Sequence, residues 1–121
     1  MNILSDQQGW QHWRATPEVA LHVCALGSAA DGPTVLVSAG VHGDEYEGPA
    51  AAATLAQELR GRTLQGRVLL VPVMNPLARL SGSRITQEDG KNLARCFPGR
   101  QDGTVTERHG RPAPDAECRG G

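Results

Sequence analysis

The run from Thr34 to Leu59 limits what this chain can fold into more than any other stretch. It passes from a continuous apolar segment, TVLVSA, through a glycine-bounded polar turn, GVHGDEYEG, into an alanine-rich segment, PAAAATLAQEL. The first segment reads as a buried strand. In the last, Ala52, Leu55, Ala56 and Leu59 recur at the spacing of one helix face, and Gly61 stands where a helix should stop. Pro49 suits the first position of that helix. A second unbroken apolar run, RVLLVPVMNP from Arg67 to Pro76, suits a buried parallel strand. Strand, helix and strand in this order make a βαβ unit, so the expected class is α/β, with a mixed sheet and helices.

The polar turn falls at the carboxyl end of the first strand, where open α/β sheets bind their ligands. His42 and Glu45 stand three residues apart within it. An imidazole and a carboxylate at that spacing can grip one cation from a single turn. Zinc takes both ligand types at about 2.0–2.2 Å, and a catalytic zinc site uses three protein ligands and a water. His42 and Glu45 are therefore the candidate metal ligands, and the third is not visible. A plainer role is open to the same residues. Asp44, Glu45 and Glu47 could complement the positive end of the following helix dipole, at a few tenths to about 1 kcal/mol each. An acidic turn also suits magnesium or calcium, although imidazole ligation favours zinc and the transition metals.

A second polar cluster, MNPLARLSGSRITQEDGKNLARCFPG, runs from Met74 to Gly99. Together the two clusters resemble the succinylglutamate desuccinylase and aspartoacylase family, relatives of the zinc carboxypeptidases. That family pairs a G-x-H-G-D-E-x-x-G turn with N-P-x-A, a following Arg, and D-G-x-N-L-x-R-x-F-P-G. Here the matching residues are Asn75, Pro76, Ala78 and Arg84, then Asp89, Gly90, Asn92, Leu93, Arg95, Phe97, Pro98 and Gly99. The resemblance covers Val19 to Arg108. It implies the N-terminal portion of a zinc-carboxypeptidase-like (phosphorylase/hydrolase-like) fold, a zinc cofactor, and hydrolysis of the amide bond in a small N-acylated amino acid. By family position, His42 and Glu45 would ligate zinc and Arg84 would stabilise the oxyanion of the tetrahedral intermediate. Arg95 would hold the substrate carboxylate, with Asn92 beside it as a substrate-binding candidate, although a loop-structuring role suits Asn92 better. Family members commonly carry Asn directly before the second Arg; this chain has Ala94, so one carboxylate donor is missing.

The rest of the chain sets limits. A net charge of -1 gives no footprint for nucleic acid or an anionic membrane. No apolar run approaches the roughly eighteen residues that span a bilayer. The opening MNILSDQQGWQHWR has neither the basic nor the apolar region of a signal peptide, so the expected compartment is the cytoplasm. An oligomer is compatible with these features. Three cysteines, Cys24, Cys96 and Cys118, are odd in number and widely spaced, which suggests neither a disulfide framework nor a thiolate zinc site. Cys24 lies in the apolar strand pattern Val19 to Leu26 and reads as a small buried hydrophobe, and His22 there reads as a structural residue. The turn AADGP separates this strand from Thr34 to Ala39, and the two could pair as an antiparallel hairpin.

Three regions are expected: a lead-in over 1–18, the deacylase portion over 19–108, and a tail over 109–121. Beyond Val105 no Ile, Leu, Val, Met, Phe, Trp or Tyr occurs. Such a segment cannot bury enough apolar surface to offset its ordering entropy. It is expected to be disordered or, since the aliphatics vanish abruptly near Arg108, to be read out of frame. His109 falls there and is not expected to serve as a zinc ligand. None of Glu88, Glu107 or Glu117 matches the family's general base. Two readings remain open on sequence alone: a zinc-dependent deacylase or a portion of one, and a catalytically incomplete remnant that binds metal weakly.

Overall fold

The computed structural model describes residues 7–111. Met1–Asp6 and 112–121, with Cys118, Glu117 and most of the expected tail, lie outside the described residues. Four strands form one mixed sheet: β1 (Gly9–Thr16), β2 (Val19–Gly27), β3 (Thr34–Ser38) and β4 (Arg67–Val71), in the order β1-β2-β4-β3. Helix α1 (Glu47–Leu59) joins β3 to β4, α2 (Pro76–Ser81) comes after β4, and α3 (Val105–His109) closes the described chain.

The order follows from the composition of β4. Its Arg-Val-Leu-Leu-Val run does not alternate, so both faces need cover, and only a central strand provides that. Leu69, Leu70 and Val71 are accordingly 4%, 0% and 1% exposed. One face of the sheet packs Trp13, Val19, Leu21, Val23, Ala25, Leu69 and Val71 with Met74, just before α2, and Leu77 within it. The other packs Cys24, Leu26 and Leu70 against Ala56 of α1, with Leu55 and Leu59 beside it. Alternate residues of β2 and β4 thus serve two cores. Cys24 is fully buried, and that burial pushes its thiol pKa up.

The βαβ unit is present: β3 and β4 are parallel, from Thr34 opposite Arg67 to Ser38 opposite Val71. The hairpin between Val19–Leu26 and Thr34–Ala39 is not. β4 lies between those strands and pairs antiparallel with β2, Cys24 opposite Leu70. A β2–β3 hairpin would have put the most apolar strand at an edge. The connection that avoids it is tight, because Ser28 N–H donates to the Gly66 carbonyl at 3.0 Å. A Cβ on Gly66, at φ +131°, would stand 2.3 Å from the Pro33 carbonyl oxygen.

Within the region expected as a lead-in, Gly9–Thr16 is an edge strand paired antiparallel with β2. Its only core anchors are Trp13 and Thr16, too few to mark a strand by alternation. His22 does not serve the core; its side chain is exposed and packs on His12. The helix after the turn begins at Glu47, two residues before Pro49. On the far side β3 is the other edge, with Val35 and Leu36 more than half exposed. No helix among the described residues is long and apolar enough to cross a membrane.

The segment after Val105 also departs from expectation, because α3 is held by polar groups instead of aliphatics. Glu107 Oε1 accepts from the Thr104 backbone N–H and hydroxyl, both at 3.0 Å, a capping box already written in Thr-Val-Thr-Glu. Asp89 accepts from Thr106 N–H at 2.9 Å and from its hydroxyl at 2.8 Å. His109, the first residue of the expected tail, is buried, and its Nε2 has no hydrogen-bond partner among the described residues. Burial pushes its pKa down, opposed by a hydrogen bond to the Met74 backbone.

This burial predicts a pH effect with a defined sign. With the folded pKa below the ordinary value of 6.5, the unfolded chain binds more protons between the two. Stability should therefore fall as pH drops below about 6.5 and level off beneath the folded pKa. Asp89 is shifted down because its hydrogen bonds outweigh burial, so its loss of stability belongs below about pH 4 and is separable. His109→Gln should flatten the curve between pH 6.5 and 5 in thermal melts. An unchanged slope there would exclude His109 as its source.

Candidate functional site

The site forms where the carboxyl ends of β3 and β4 meet. Ala39 N–H donates to the Val71 carbonyl at 2.9 Å, extending the ladder one residue past the strand. The chain after β4 then grips the polar turn: Met74 N–H donates to the Ala39 carbonyl at 2.7 Å and Asn75 N–H to the Gly40 carbonyl at 3.0 Å. Gly43 is pressed against the same segment. A Cβ there would sit 2.0 Å from the Ala78 carbonyl oxygen and 2.5 Å from that of Ser83. Arg79 adds a clasp from α2, its guanidinium 4.2 Å from the Tyr46 ring centroid, a cation–π contact.

Asn75 is fully buried and organises both α2 and the loop beyond it. Its Oδ1 accepts from Ala78 N–H at 3.2 Å, capping α2, and its Nδ2 donates to the Thr86 hydroxyl at 3.1 Å. That bond fixes the loop carrying Arg84. Thr86 in turn pairs with Lys91, whose N–H donates to Asp89 Oδ1 at 3.1 Å. Asn92 then caps the short 3-10 turn Leu93–Arg95 by accepting from Ala94 N–H at 3.0 Å.

Four of the five sequence-chosen residues converge. His42 Nδ1 and Glu45 Oε1 are 2.7 Å apart, His42 Nε2 and Asn92 Oδ1 3.2 Å, and Arg84 reaches Glu45 Oε2 at 4.0 Å. Both ring nitrogens of His42 thus face oxygens, an arrangement met by N–H donors or by a cation in place of one proton. Glu45 and Arg84 are more than half exposed, so their contact contributes little to stability. Arg95, the fifth, makes no hydrogen bond or ion pair with His42 or Glu45. With Lys91, Asn92, Arg100 and Glu107 it lines an adjoining cleft of about 360 Å³. Among the described residues no group of three His, Cys, Asp or Glu could hold a metal ion. The scaffold residues Asn75, Thr86, Asp89 and Gly43 were not singled out from sequence. The motifs contain Gly43, Asn75 and Asp89, but nothing in their spacing announces these scaffolding roles.

A mixed α/β sheet with a His-Glu turn at its strand ends, welded to an Asn-Pro segment and flanked by two arginines, defines the class of scaffold. The family model for the succinylglutamate desuccinylase/aspartoacylase catalytic domain matches residues 31–117, and the chain belongs to that family. It is 51% identical over 78 residues to the N-alpha-acetyl-L-2,4-diaminobutyric acid deacetylase of Halomonas elongata, covering 64% of this chain and 23% of that protein. Among solved structures it is similar to an aspartoacylase family protein from Mesorhizobium loti, at 37% identity and TM-score 0.74, covering 94% of this chain and 37% of that one. It is also similar to the product-bound ectoine utilization protein of Ruegeria pomeroyi, at 36% identity and TM-score 0.68, covering 87% and 35%. The chain therefore spans about a quarter of the curated relative and about a third of the solved ones.

Proposed function

We propose that these residues form the N-terminal part of a cytoplasmic zinc-dependent deacylase that hydrolyses the amide bond of a small N-acylated amino acid. The convergence of His42, Glu45, Asn92 and Arg84 on one point at the strand ends carries the reading. His42 and Glu45 would hold the metal. When bound there, zinc supplies a polarised carbonyl and a water acidified toward a pKa of about 7. Arg84 would face the oxygen on which charge develops, where one such donor is typically worth about 2.7–4 kcal/mol. Arg95 would pair with the substrate carboxylate through its planar guanidinium, with Asn92 at the boundary between the two subsites. The deacetylase name of the Halomonas relative supports an N-acetyl amino acid as the substrate class. The reading requires a third ligand and a general base from outside the described residues.

The second reading, a weak metal-binding remnant, is favoured by one observation: a two-ligand turn among the described residues. Calorimetric zinc titration tests the shared premise. The chain should bind one equivalent weakly, and His42→Ala and Glu45→Ala should each abolish the heat. Undiminished binding in His42→Ala would remove it as a ligand and with it the proposed site.

A further inference from the structure

A second pair of histidines stands apart from the strand-end turn. His12 on β1 and His22 on β2 are direct cross-strand partners, and both side chains are exposed. Their ring centroids are 4.1 Å apart with the planes at 68°. Directly opposed residues on an antiparallel pair have Cβ atoms about 4.5–5.5 Å apart, close enough for two imidazoles to reach one ion. Neither ring has a hydrogen bond or ion pair with another described residue. The chain's other two histidines differ: His42 has oxygens at both nitrogens, and His109 is buried. The pair also lies outside the residues that the family match covers.

We propose that His12 and His22 form a surface chelate for a divalent transition-metal ion, with Cu²⁺ preferred, separate from the strand-end turn. Two neutral imidazoles supply the nitrogen donors that first-row transition metals favour, and affinity at such a site rises toward Cu²⁺ and falls again at Zn²⁺. Calcium and magnesium, which take oxygen ligands, are disfavoured. No third His, Cys, Asp or Glu joins the pair among the described residues, so water completes the coordination and binding is modest. Four neighbours share the sheet face, Ala20 and the fully buried Cys24 on β2 and two on β1. Trp10 is 44% exposed, and Arg14, the only charged one of the four, donates to the Pro17 carbonyl at 3.0 Å. Its positive charge opposes the ion but does not compete for it. A bound ion would tie the edge strand β1 to β2 and stabilise the folded chain by binding it alone.

The pair could instead be no more than cross-strand ring packing. Phenylalanine keeps a ring and loses the donor, so His22→Phe separates the two roles. The measurement uses the 121-residue chain carrying His42→Ala, which leaves His12 and His22 as its exposed described histidines. Cu²⁺ titration should show one saturable site, an electron paramagnetic resonance spectrum with two imidazole nitrogens, and a rise in melting temperature. His22→Phe and His12→Gln should each weaken binding at least tenfold and abolish the two-nitrogen spectrum, with circular dichroism unchanged. An unaltered spectrum or affinity in either variant would overturn the proposal, as would a parent spectrum showing fewer than two imidazole nitrogens.

Discussion

Gly43→Ala should lower the stability of the chain by about 3 kcal/mol, or about 12 °C in melting temperature. The added methyl group would stand 2.0 Å from the Ala78 carbonyl oxygen, 2.2 Å from the Ala78 carbonyl carbon and 2.5 Å from the Ser83 carbonyl oxygen. All three are backbone atoms, so no side chain can swing away to make room. The clash is steric and not conformational, because Gly43 is not among the glycines with positive φ. Relief requires the turn to separate from α2, which breaks the bonds from Met74 and Asn75 to Ala39 and Gly40. Those bonds aim His42 and Glu45, so zinc binding should disappear in the same variant although neither ligand is altered. Gly90→Ala is the control. Gly90 has φ +69° but open space around its Cβ, so only left-handed strain of roughly 1–2 kcal/mol applies. Thermal melts of both variants, with zinc titrations, decide the matter. If Gly43→Ala melts no lower than Gly90→Ala, the turn is not held by this contact.

The contrast between those glycines shows how far the sequence could be read. The βαβ unit was legible because β3 and β4 carry unbroken apolar runs and α1 a helical period, and the turn between β3 and α1 was legible because motif and strand end coincide. The position of β2 was not. Pairing preference depends on which strand must be covered on both faces, a property of the whole sheet and not of the AADGP turn. Strand β1 and helix α3 escaped for another reason: their stabilisation is not aliphatic. β1 turns one Trp inward and relies on its ladder with β2, while α3 relies on Asp89, Thr104 and Glu107. In the site, the sequence marks His42, Glu45, Arg84 and Arg95 as candidates, and the structure brings the first three together. Asn92 reads from sequence as a loop-structuring residue or a substrate donor; its carboxamide oxygen caps a turn and also faces His42, and only the packed loops reveal the second contact. Asn75, through its buried carboxamide, and Gly43, through close backbone contact, hold the site in shape and leave no periodic trace.

The largest expected effect concerns turnover. Expressed alone, the 121 residues should release no detectable amine from a panel of N-acetyl and N-succinyl amino acids with zinc present. Hydrolysis needs a firmly held metal, a base for the water's proton and a closed pocket, and the described residues bring two candidate ligands and two arginines. General acid–base assistance alone is worth about 10²–10⁴-fold, and Arg84 and Arg95 cannot replace it, since they act on charge that forms only after the water attacks. The residues themselves should nevertheless be competent. Residues 31–111 grafted in place of the matching segment of the Halomonas elongata deacetylase should give an active chimera, because the two proteins share 51% identity over 78 residues. In that chimera His42→Ala should cost at least about 10³-fold in kcat/KM, through loss of a ligand, together with most of the zinc. Arg84→Ala should cost about 10²–10³-fold in kcat with KM little changed, the signature of a contact made only in the transition state. Arg95→Ala should instead raise KM, because a carboxylate clamp acts on the bound substrate and the transition state alike. An inert chimera that folds and holds zinc would refute the competence of this segment. A chimera whose activity survives His42→Ala would refute the metal site, and an Arg84→Ala effect confined to KM would move that residue from the reacting carbonyl to substrate binding.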